Sequence, residues 1–375
     1  MNHERFKRAM TPIVQRLPAV LREPLRRWWR AHYGAVAGTT NMAIGDFAYQ
    51  QRIAQENAIF ADQVDVHALP EIFHYWSNRY LLPMEEEFGV RHPEDFLAKY
   101  LFKSARRTGA ARPRFVSLGS GNCDAEVRIA QDLVRRGLDD FVLECIDINP
   151  AMLERGRTLA REAGLEGRVV PSQGDFNRWK PTGHYDGVMA NQSLHHVLEL
   201  ESLFDAVSTA LKPEASFVVS DMIGRNGHQR WPEALAIVRE FWAELPKSYR
   251  YNRQLQRQET EFLDWDCSVE GFEGVRAQDI LPLLLERFGF EVFLPFGNAI
   301  DPFIDRGFGH HFDPAREWDR NFIDRVHARD EAELAAGRIT PTHMLAVLGL
   351  DRAVSCRYRG NLSPAFCVRR PGLIA

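Results

Sequence analysis

The sequence lacks the features that would place the protein in a membrane or outside the cell. No apolar run in its 375 residues approaches the roughly 20 residues that span a bilayer. The amino terminus is charged and has no continuous apolar stretch of the signal-peptide kind. The five cysteines are odd in number and have no metal-type spacing, which favours a reducing environment. These absences predict a soluble globular protein of the cytoplasm.

The sequence also lacks an excess of positive charge. Its formal net charge is −4, and basic residues are concentrated before residue 36 and after residue 351, which leaves the body between them acidic. An acidic body argues against a nucleic-acid groove, so no nucleic-acid partner is expected. The composition, with 45% hydrophobic and 26% charged residues, is that of an ordinary globular protein. The length of 375 residues is enough for one domain with additions or for two.

The most informative segment, 114–126, is a predicted strand that leads into a turn poor in side chains and then into a helix. Gly119 and Gly121 have no Cβ, so the backbone can turn sharply and a ligand can approach the peptide plane. A dinucleotide-binding fingerprint would have a third glycine at position 124. This position is Asp124, whose carboxylate suits a helix N-terminus but would repel a phosphate. The turn therefore favours a ligand with ribose, adenine and a positive charge.

Polar residues follow the next three predicted strands. The second strand ends in Asp147, which is placed to accept both hydroxyls of a ribose. The third is followed by Asp175, an acceptor for an adenine amino group, and by Phe176, which offers its ring to the base. The fourth leads into Asn191 and the polar segment 191–196. We expect these residues to meet at one edge of the sheet.

Strand and helix patterns alternate along much of the chain, which predicts a parallel sheet with helices on both faces. We expect an α/β, Rossmann-like, doubly wound and mostly parallel sheet of seven strands in residues 111–350. A helical extension at 1–110 is predicted to form a lid, insertions fall at about 222–276 and 297–341, and a basic tail covers 351–375. Ligands lie at the carboxyl ends of such strands, so the lid and the insertions are expected to select the acceptor.

In this order and spacing, the glycine turn, Asp147, Asp175 with Phe176, and the segment 191–196 resemble the motifs of class I S-adenosylmethionine-dependent methyltransferases. The resemblance is close over about 114–220. It implies S-adenosyl-L-methionine as the cofactor. The cofactor-binding residues that it implies are Gly119, Ser120, Gly121, Asn122, Asp147, Ile148, Asp175, Phe176 and Asn191.

Two positions depart from the family pattern. The family usually has an acidic residue two places before its first glycine, where this chain has Ser117. Contact with the methionine amino group would then be made in another way. The family's third glycine is Cys123 here, whose side chain narrows the turn.

A general base is required if the methyl acceptor is a hydroxyl or an ammonium group. His195 and His196 follow the strand whose tip faces the methyl group, so each is a candidate for this catalytic base. The alternative is that one of them packs against or caps the following helix. A second candidate set is His310, His311 and Asp313, but its spacing matches no standard ligand signature, and no metal is predicted.

Several other segments have two interpretations. The aromatic segment 72–80 suits either the inner face of a lid or simple packing. Tyr249 and Tyr251 are candidates for aromatic walls near a sulfonium, or ordinary surface residues. The acidic residues Asp264, Asp266, Glu270 and Glu273 are explained by capping and solvation.

The amino-terminal segment 1–36 combines apolar residues at helical spacing with arginine and lysine. This composition suits an interfacial membrane helix, and thus a peripheral membrane contact. Prolines interrupt the segment, and the same residues would serve for packing against the acidic body or for contact between subunits of a homo-oligomer.

The predicted function is methyl transfer from S-adenosyl-L-methionine to a small-molecule or glycan-type acceptor, with a sugar hydroxyl as the expected target. One alternative is a nicotinamide-dependent oxidoreductase or sugar epimerase on a related nucleotide-binding sheet, against which Asp124 counts. Another is a non-catalytic protein that kept the cofactor pocket as structure. The intact set of Gly119, Gly121, Asp147 and Asp175 argues against that alternative.

Overall fold

The structure is a computed structural model that describes Tyr49 and residues 52–54, 69–269 and 271–369. Most of the helices predicted for the 1–110 extension lie outside the described residues. The same holds for the membrane or subunit contact suggested for 1–36 and for Glu270. Within the described part of the chain, no helix is both long and apolar enough to cross a bilayer.

The strands form one large sheet and one small hairpin. In chain order they are β1 (Arg114–Leu118), β2 (Val142–Asp147), β3 (Val169–Gln173), β4 (Tyr185–Asn191), β5 (Leu211–Met222), β6 (Tyr251–Asn252), β7 (Arg257–Gln258), β8 (Gly289–Phe296), β9 (His343–Gly349) and β10 (Arg357–Tyr358). The large sheet has eight strands in the order β10-β8-β9-β5-β4-β1-β2-β3, and β6 pairs with β7. Strands β1 to β5 are parallel, whereas β9 is antiparallel to both β5 and β8.

The helices lie on both faces of this sheet. They are α1 (Glu71–Trp76), α2 (Leu82–Glu87), α3 (Pro93–Thr108), α4 (Asp124–Arg135), α5 (Pro150–Glu162), α6 (Leu200–Ala210), α7 (Pro232–Glu244), α8 (Ala277–Arg287), α9 (Asp301–Ile304) and α10 (Glu317–Ala335). A π-helical segment, Ser77–Leu81, joins α1 to α2.

Alternation along the central strand explains the two helical layers. Val116 and Leu118 of β1 belong to a core that includes residues of α6 and α8. Phe115, on the other face, belongs to a core that includes residues of α3 and α4. All three side chains are fully buried, as expected of a strand inside a parallel sheet. The α/β, doubly wound and mostly parallel fold predicted from the sequence is confirmed.

The predicted number of seven strands is wrong. The eighth strand is β10, which pairs in parallel with β8 at the edge of the sheet. It is only two residues long and lies in the basic segment after residue 351, where no alternation of polar and apolar residues marks it.

The aromatic segment 72–80 packs against the second insertion. The Trp76 indole Nε1 donates to His327 Nδ1 of α10 at 3.2 Å, and the Tyr80 ring stacks on the His327 ring at a centroid distance of 3.8 Å. Tyr75 donates to Asp324 of the same helix. These contacts correspond to the packing interpretation of the segment.

Candidate active site

The glycine turn joins β1 to α4 and is fixed by the end of β2. The backbone N–H groups of Gly119 and Ser120 both donate to the carbonyl of Ile146, at 2.9 and 3.0 Å. Gly119 has a φ of 75°, and a Cβ at this position would lie 2.6 Å from Ser193 Cβ. Only glycine therefore allows the loop after β4 to approach the turn this closely. Ser193 Oγ closes the contact by donating to the Leu118 carbonyl at 2.6 Å.

Asp147 links the turn to the start of α5. Its Oδ2 accepts from the Gly121 N–H at 2.8 Å, and its Oδ1 accepts from the Asn149 N–H at 2.8 Å. The Asn149 side chain in turn caps α5 by accepting from Ala151 N, with Pro150 in the first turn. A carboxylate is an acceptor of hydrogen bonds through both of its oxygens. This geometry suits a ribose at the tip of β2.

Cys123 occupies the position of the family's third glycine. Its φ is 58°, in the left-handed region that favours glycine, and its side chain is fully buried. The room comes from Gly156 of α5, where an added Cβ would lie 2.8 Å from Cys123 Sγ. The Cys123 side chain thus fills the space that a side chain at position 156 of α5 would otherwise occupy.

Asp175 and Phe176 follow β3 and face the same edge of the sheet. Phe176 is buried, and its Cε1 would lie 3.4 Å from a Cβ on Gly119, so its ring borders the turn. Asp175 accepts from the Tyr49 hydroxyl at 2.9 Å through Oδ1 and at 2.8 Å through Oδ2. The ring of Tyr49 contacts Phe272 edge-on, so Tyr49 links Asp175 to the first insertion.

The remaining predicted cofactor residues lie at or just after the carboxyl ends of β1, β2 and β4. Asn122 is buried, and its Oδ1 accepts from Arg155 Nε at 2.8 Å. Ile148 lies between Asp147 and the Asn149 cap and is partly buried. Asn191 is the last residue of β4 and pairs with Ser220 of β5. Their roles toward the cofactor stay predictions.

His195 is buried and oriented by a carboxylate at the end of β5. Its Nδ1 lies 2.7 Å from Asp221 Oδ1. Asp221 is fully buried, and its Oδ2 accepts from the N–H groups of Ser193 and Leu194 at 2.9 and 2.7 Å. Burial lowers the pKa of the His195 imidazole, but the charges of Asp221 and Glu273 raise it more, to about 10. His195 thus holds its proton more tightly than a free histidine.

Glu273 is the centre of a cluster of three histidines. One oxygen, Oε1, lies 2.6 Å from His228 Nε2 and 3.5 Å from His195 Nε2, and Oε2 lies 3.6 Å from His196 Nε2. Burial raises the pKa of Glu273, but the imidazoles lower it further, to well below its usual range. Burial also lowers the pKa of the His228 imidazole. The Glu273 side chain is 40% exposed and the His195 side chain only 5%, so the cluster is open on the Glu273 side.

Asp221 and two members of this cluster, Glu273 and His228, were not predicted as site residues. Asp221 lies near the end of β5 after an apolar run, where a carboxylate requires buried partners, and this is the one clue in its local sequence. Glu273 was assigned to capping and solvation, and His228 has no distinguishing neighbours in the sequence. Only the fold of the first insertion brings Glu273 and His228 to His195.

The other candidate residues lie elsewhere. His311 Nε2 contacts the Tyr251 carbonyl at 2.7 Å, and Asp313 contacts backbone and Arg316. In the part of the chain that the structure describes, the cluster of His195, His228 and Glu273 is the one that gathers three metal-ligating side chains. Tyr249 donates to Asp319 and packs on Phe312, so it joins the first insertion to the second.

Comparison with known proteins identifies the central part of the sheet. Residues 116–214 match the family model described as a methyltransferase domain. No curated protein matches the chain. The matched residues contain the glycine turn, Asp147, Asp175 and the two adjacent histidines, so the family model covers most of the candidate site.

Solved structures to which the chain is similar include three methyltransferases. An O-methyltransferase from a trans-AT PKS multienzyme of Brevibacillus brevis, in complex with S-adenosyl-L-homocysteine, is 13% identical, with 76% of this chain and 81% of that chain covered and a TM-score of 0.40. A putative sarcosine dimethylglycine methyltransferase from Galdieria sulphuraria is 14% identical, with 80% and 99% covered and a TM-score of 0.40. The CcbJ methyltransferase from Streptomyces caelestis is 26% identical, with 37% and 53% covered and a TM-score of 0.29.

Proposed function

We propose that this chain, an S-adenosyl-L-methionine-dependent methyltransferase with a class I domain, methylates a hydroxyl group of a small-molecule or glycan-type acceptor, with a sugar hydroxyl as the target. The cofactor supplies the electrophilic methyl group, so the residues of the chain have to position the acceptor and receive its proton. The observation that supports a hydroxyl acceptor best is the cluster around Glu273, which lies beside the glycine turn.

Two sets of contacts support a position of the cluster beside the glycine turn. Ser193 approaches Gly119, and His195 is two residues further along the same loop. Asp221 holds this loop through Ser193 N, Leu194 N and the His195 ring. With its pKa raised to about 10, His195 would carry a proton at neutral pH and donate a hydrogen bond to an acceptor bound on the exposed Glu273 side. The adjacent His196 would then be the imidazole that receives the hydroxyl proton.

A sugar is favoured by the chemistry of the cluster. Sugar hydroxyls are weaker acids than phenols, so their methylation depends more strongly on groups that remove or polarise the proton. His195, His196 and His228 provide three imidazoles within reach of one carboxylate. Such groups also suit hydrogen bonding to several hydroxyls of one acceptor.

The acceptor class is tested by supplying methyl-labelled S-adenosyl-L-methionine with four sets of compounds: free sugars, nucleotide sugars, phenols and primary amines. The proposal predicts label in a sugar, as an ether that survives mild acid and base. Label found only in amines would contradict it.

The catalytic residues are tested by His195→Ala and His196→Ala, with His310→Ala as a matched control in the second insertion. If one of the two adjacent histidines is the base, its variant loses on the order of 10²- to 10⁴-fold in kcat while the affinity for S-adenosyl-L-homocysteine is unchanged. Full turnover in both variants would contradict the assignment.

A further inference from the structure

The cluster beside the glycine turn has the composition of a transition-metal site. His195, His228 and Glu273 each offer one ligand atom, and these atoms all lie within 4.8 Å of one another. Two imidazoles and one carboxylate form a recurrent set of ligands for divalent ions such as Fe²⁺ and Zn²⁺. We propose that these three side chains bind a divalent transition-metal ion.

The contact between His195 and Asp221 supplies the outer support that metal-bound histidines require. Ligating histidines commonly donate their second ring N–H to a carboxylate, which fixes the tautomer and the direction of the ring. Here the 2.7 Å contact of Nδ1 with Asp221 Oδ1 does this, and Nε2 faces Glu273 at 3.5 Å. Asp221 and Glu273 also bring two carboxylates into the site, which offsets the charge of a cation.

His228 is held in place by a conformation that costs free energy. Its φ is 54°, although it is not a glycine, and strain of this kind persists where the surroundings enforce it, often at functional sites. Its carbonyl accepts from Arg230 Nη1 at 2.6 Å. The buried Arg230 is anchored by Asp301 Oδ2 at 3.1 Å. The second insertion therefore supports a ligand that the first one supplies.

Glu273 is brought to His228 by a close approach of two backbone segments. Gly227 N–H donates to the Gly274 carbonyl at 2.8 Å. A Cβ on Gly274 would lie 3.1 Å from Gly227 N and 3.2 Å from His228 Cε1, and the φ of Gly274 is 64°. A side chain at position 274 would push the two ligands apart, so glycine is required there for the carboxylate and the imidazole to converge.

The exposed side of the cluster leaves room for the acceptor. Three protein ligands leave coordination positions open for water or substrate. Because the Glu273 side chain is 40% exposed, water or an acceptor can reach the ion from that side. A hydroxyl bound to a divalent ion has a lowered pKa, so the ion would help to remove its proton, and His196, which is not among the three ligands, would receive it. This role rests on the proposed function, whereas binding of the ion does not.

Binding is measured on the full chain without cofactor or acceptor. The protein is treated with a chelator, dialysed and titrated calorimetrically with Zn²⁺ and Mn²⁺, and Co²⁺ absorption spectra report the ligand set. We expect one ion per chain in the wild type and in the control His310→Ala. In Glu273→Gln and His228→Ala, the affinity should fall on the order of 100-fold or more.

The proposal is overturned if the chelator-treated wild type binds none of these ions, or if Glu273→Gln binds them as tightly as the wild type. Glu273→Gln preserves the shape of a partly exposed side chain, so it keeps the test valid even if His228→Ala does not fold. An inactive protein that still binds the ion would refute the proposed acceptor chemistry and leave the metal site standing.

Discussion

The Ser117 hydroxyl donates to Glu126 Oε1 across 2.7 Å, so a carboxylate lies beside the end of β1 although the strand itself has none. In the family pattern this acidic residue belongs to the strand, two places before the first glycine. Here it comes from the first turn of α4. The second oxygen, Glu126 Oε2, has no hydrogen-bond partner within the described residues, and burial raises the pKa of this carboxyl to about 7.

Glu126 should make stability depend on pH. Its folded pKa of about 7 lies above the ordinary 4.5, so the unfolded chain releases this proton first. The contribution of this carboxyl to the free energy of unfolding is fully present below about pH 4.5. It declines by up to ~3 kcal/mol as the pH rises to about 7. Glu126→Gln should remove this part of the decline. The measurement is urea unfolding at pH 5 and pH 8, with the exposed Glu162→Gln as control; equal pH slopes in the wild type and Glu126→Gln would contradict the expectation.

Gly119→Ala should destabilise the protein through a clash as well as through its backbone conformation. The added Cβ would lie 2.6 Å from Ser193 Cβ, so the loop with His195 has to move. Overpacking of this kind costs about 1–3 kcal/mol in addition to the strain of a positive φ. Gly137→Ala is the matched control, because Gly137 also has a positive φ but no atom within 4 Å of its Cβ position. Equal losses in denaturant unfolding for both variants would rule out the clash.

Asp147→Asn should weaken cofactor binding while the fold is retained. The change keeps the size of the side chain but replaces the charged carboxylate, whose oxygens would accept the ribose hydroxyls, with a neutral amide. Hydrogen bonds to charged groups contribute about 1.5–3 kcal/mol, so the affinity for S-adenosyl-L-homocysteine should fall roughly 10- to 100-fold. Calorimetry measures this, and the exposed Asp139→Asn should bind like the wild type. Unchanged affinity in Asp147→Asn would remove the residue from the cofactor site.

The sequence predicted the parts of the fold that have a local pattern of apolar and polar residues. Strands β1 to β4 were located from the sequence, because each is followed by a glycine or by polar residues. The strand β10 was missed because two residues in a basic segment have no periodicity to detect. Its pairing with β8 depends on contacts across the sheet.

The candidate site was predicted only where it follows the strands of the sheet. His195 was identified from its position after β4, and Asp147 from its position after β2. Glu273 and His228 reach the site through an insertion whose path depends on positive-φ glycines and on the anchor between Arg230 and Asp301. No repeat in the sequence encodes such a path. A carboxylate that was assigned to solvation thus lies at the centre of the cluster.

The most direct test of the account is calorimetric titration of the wild-type chain with S-adenosyl-L-homocysteine and, separately, with NAD⁺. The glycine turn with Asp124 at the mouth of α4, and Asp147 at the tip of β2, predict saturable binding of one S-adenosyl-L-homocysteine per chain and no binding of NAD⁺. Binding of NAD⁺ in place of S-adenosyl-L-homocysteine, or of neither compound, would contradict the central claim that this crevice holds a sulfonium nucleoside.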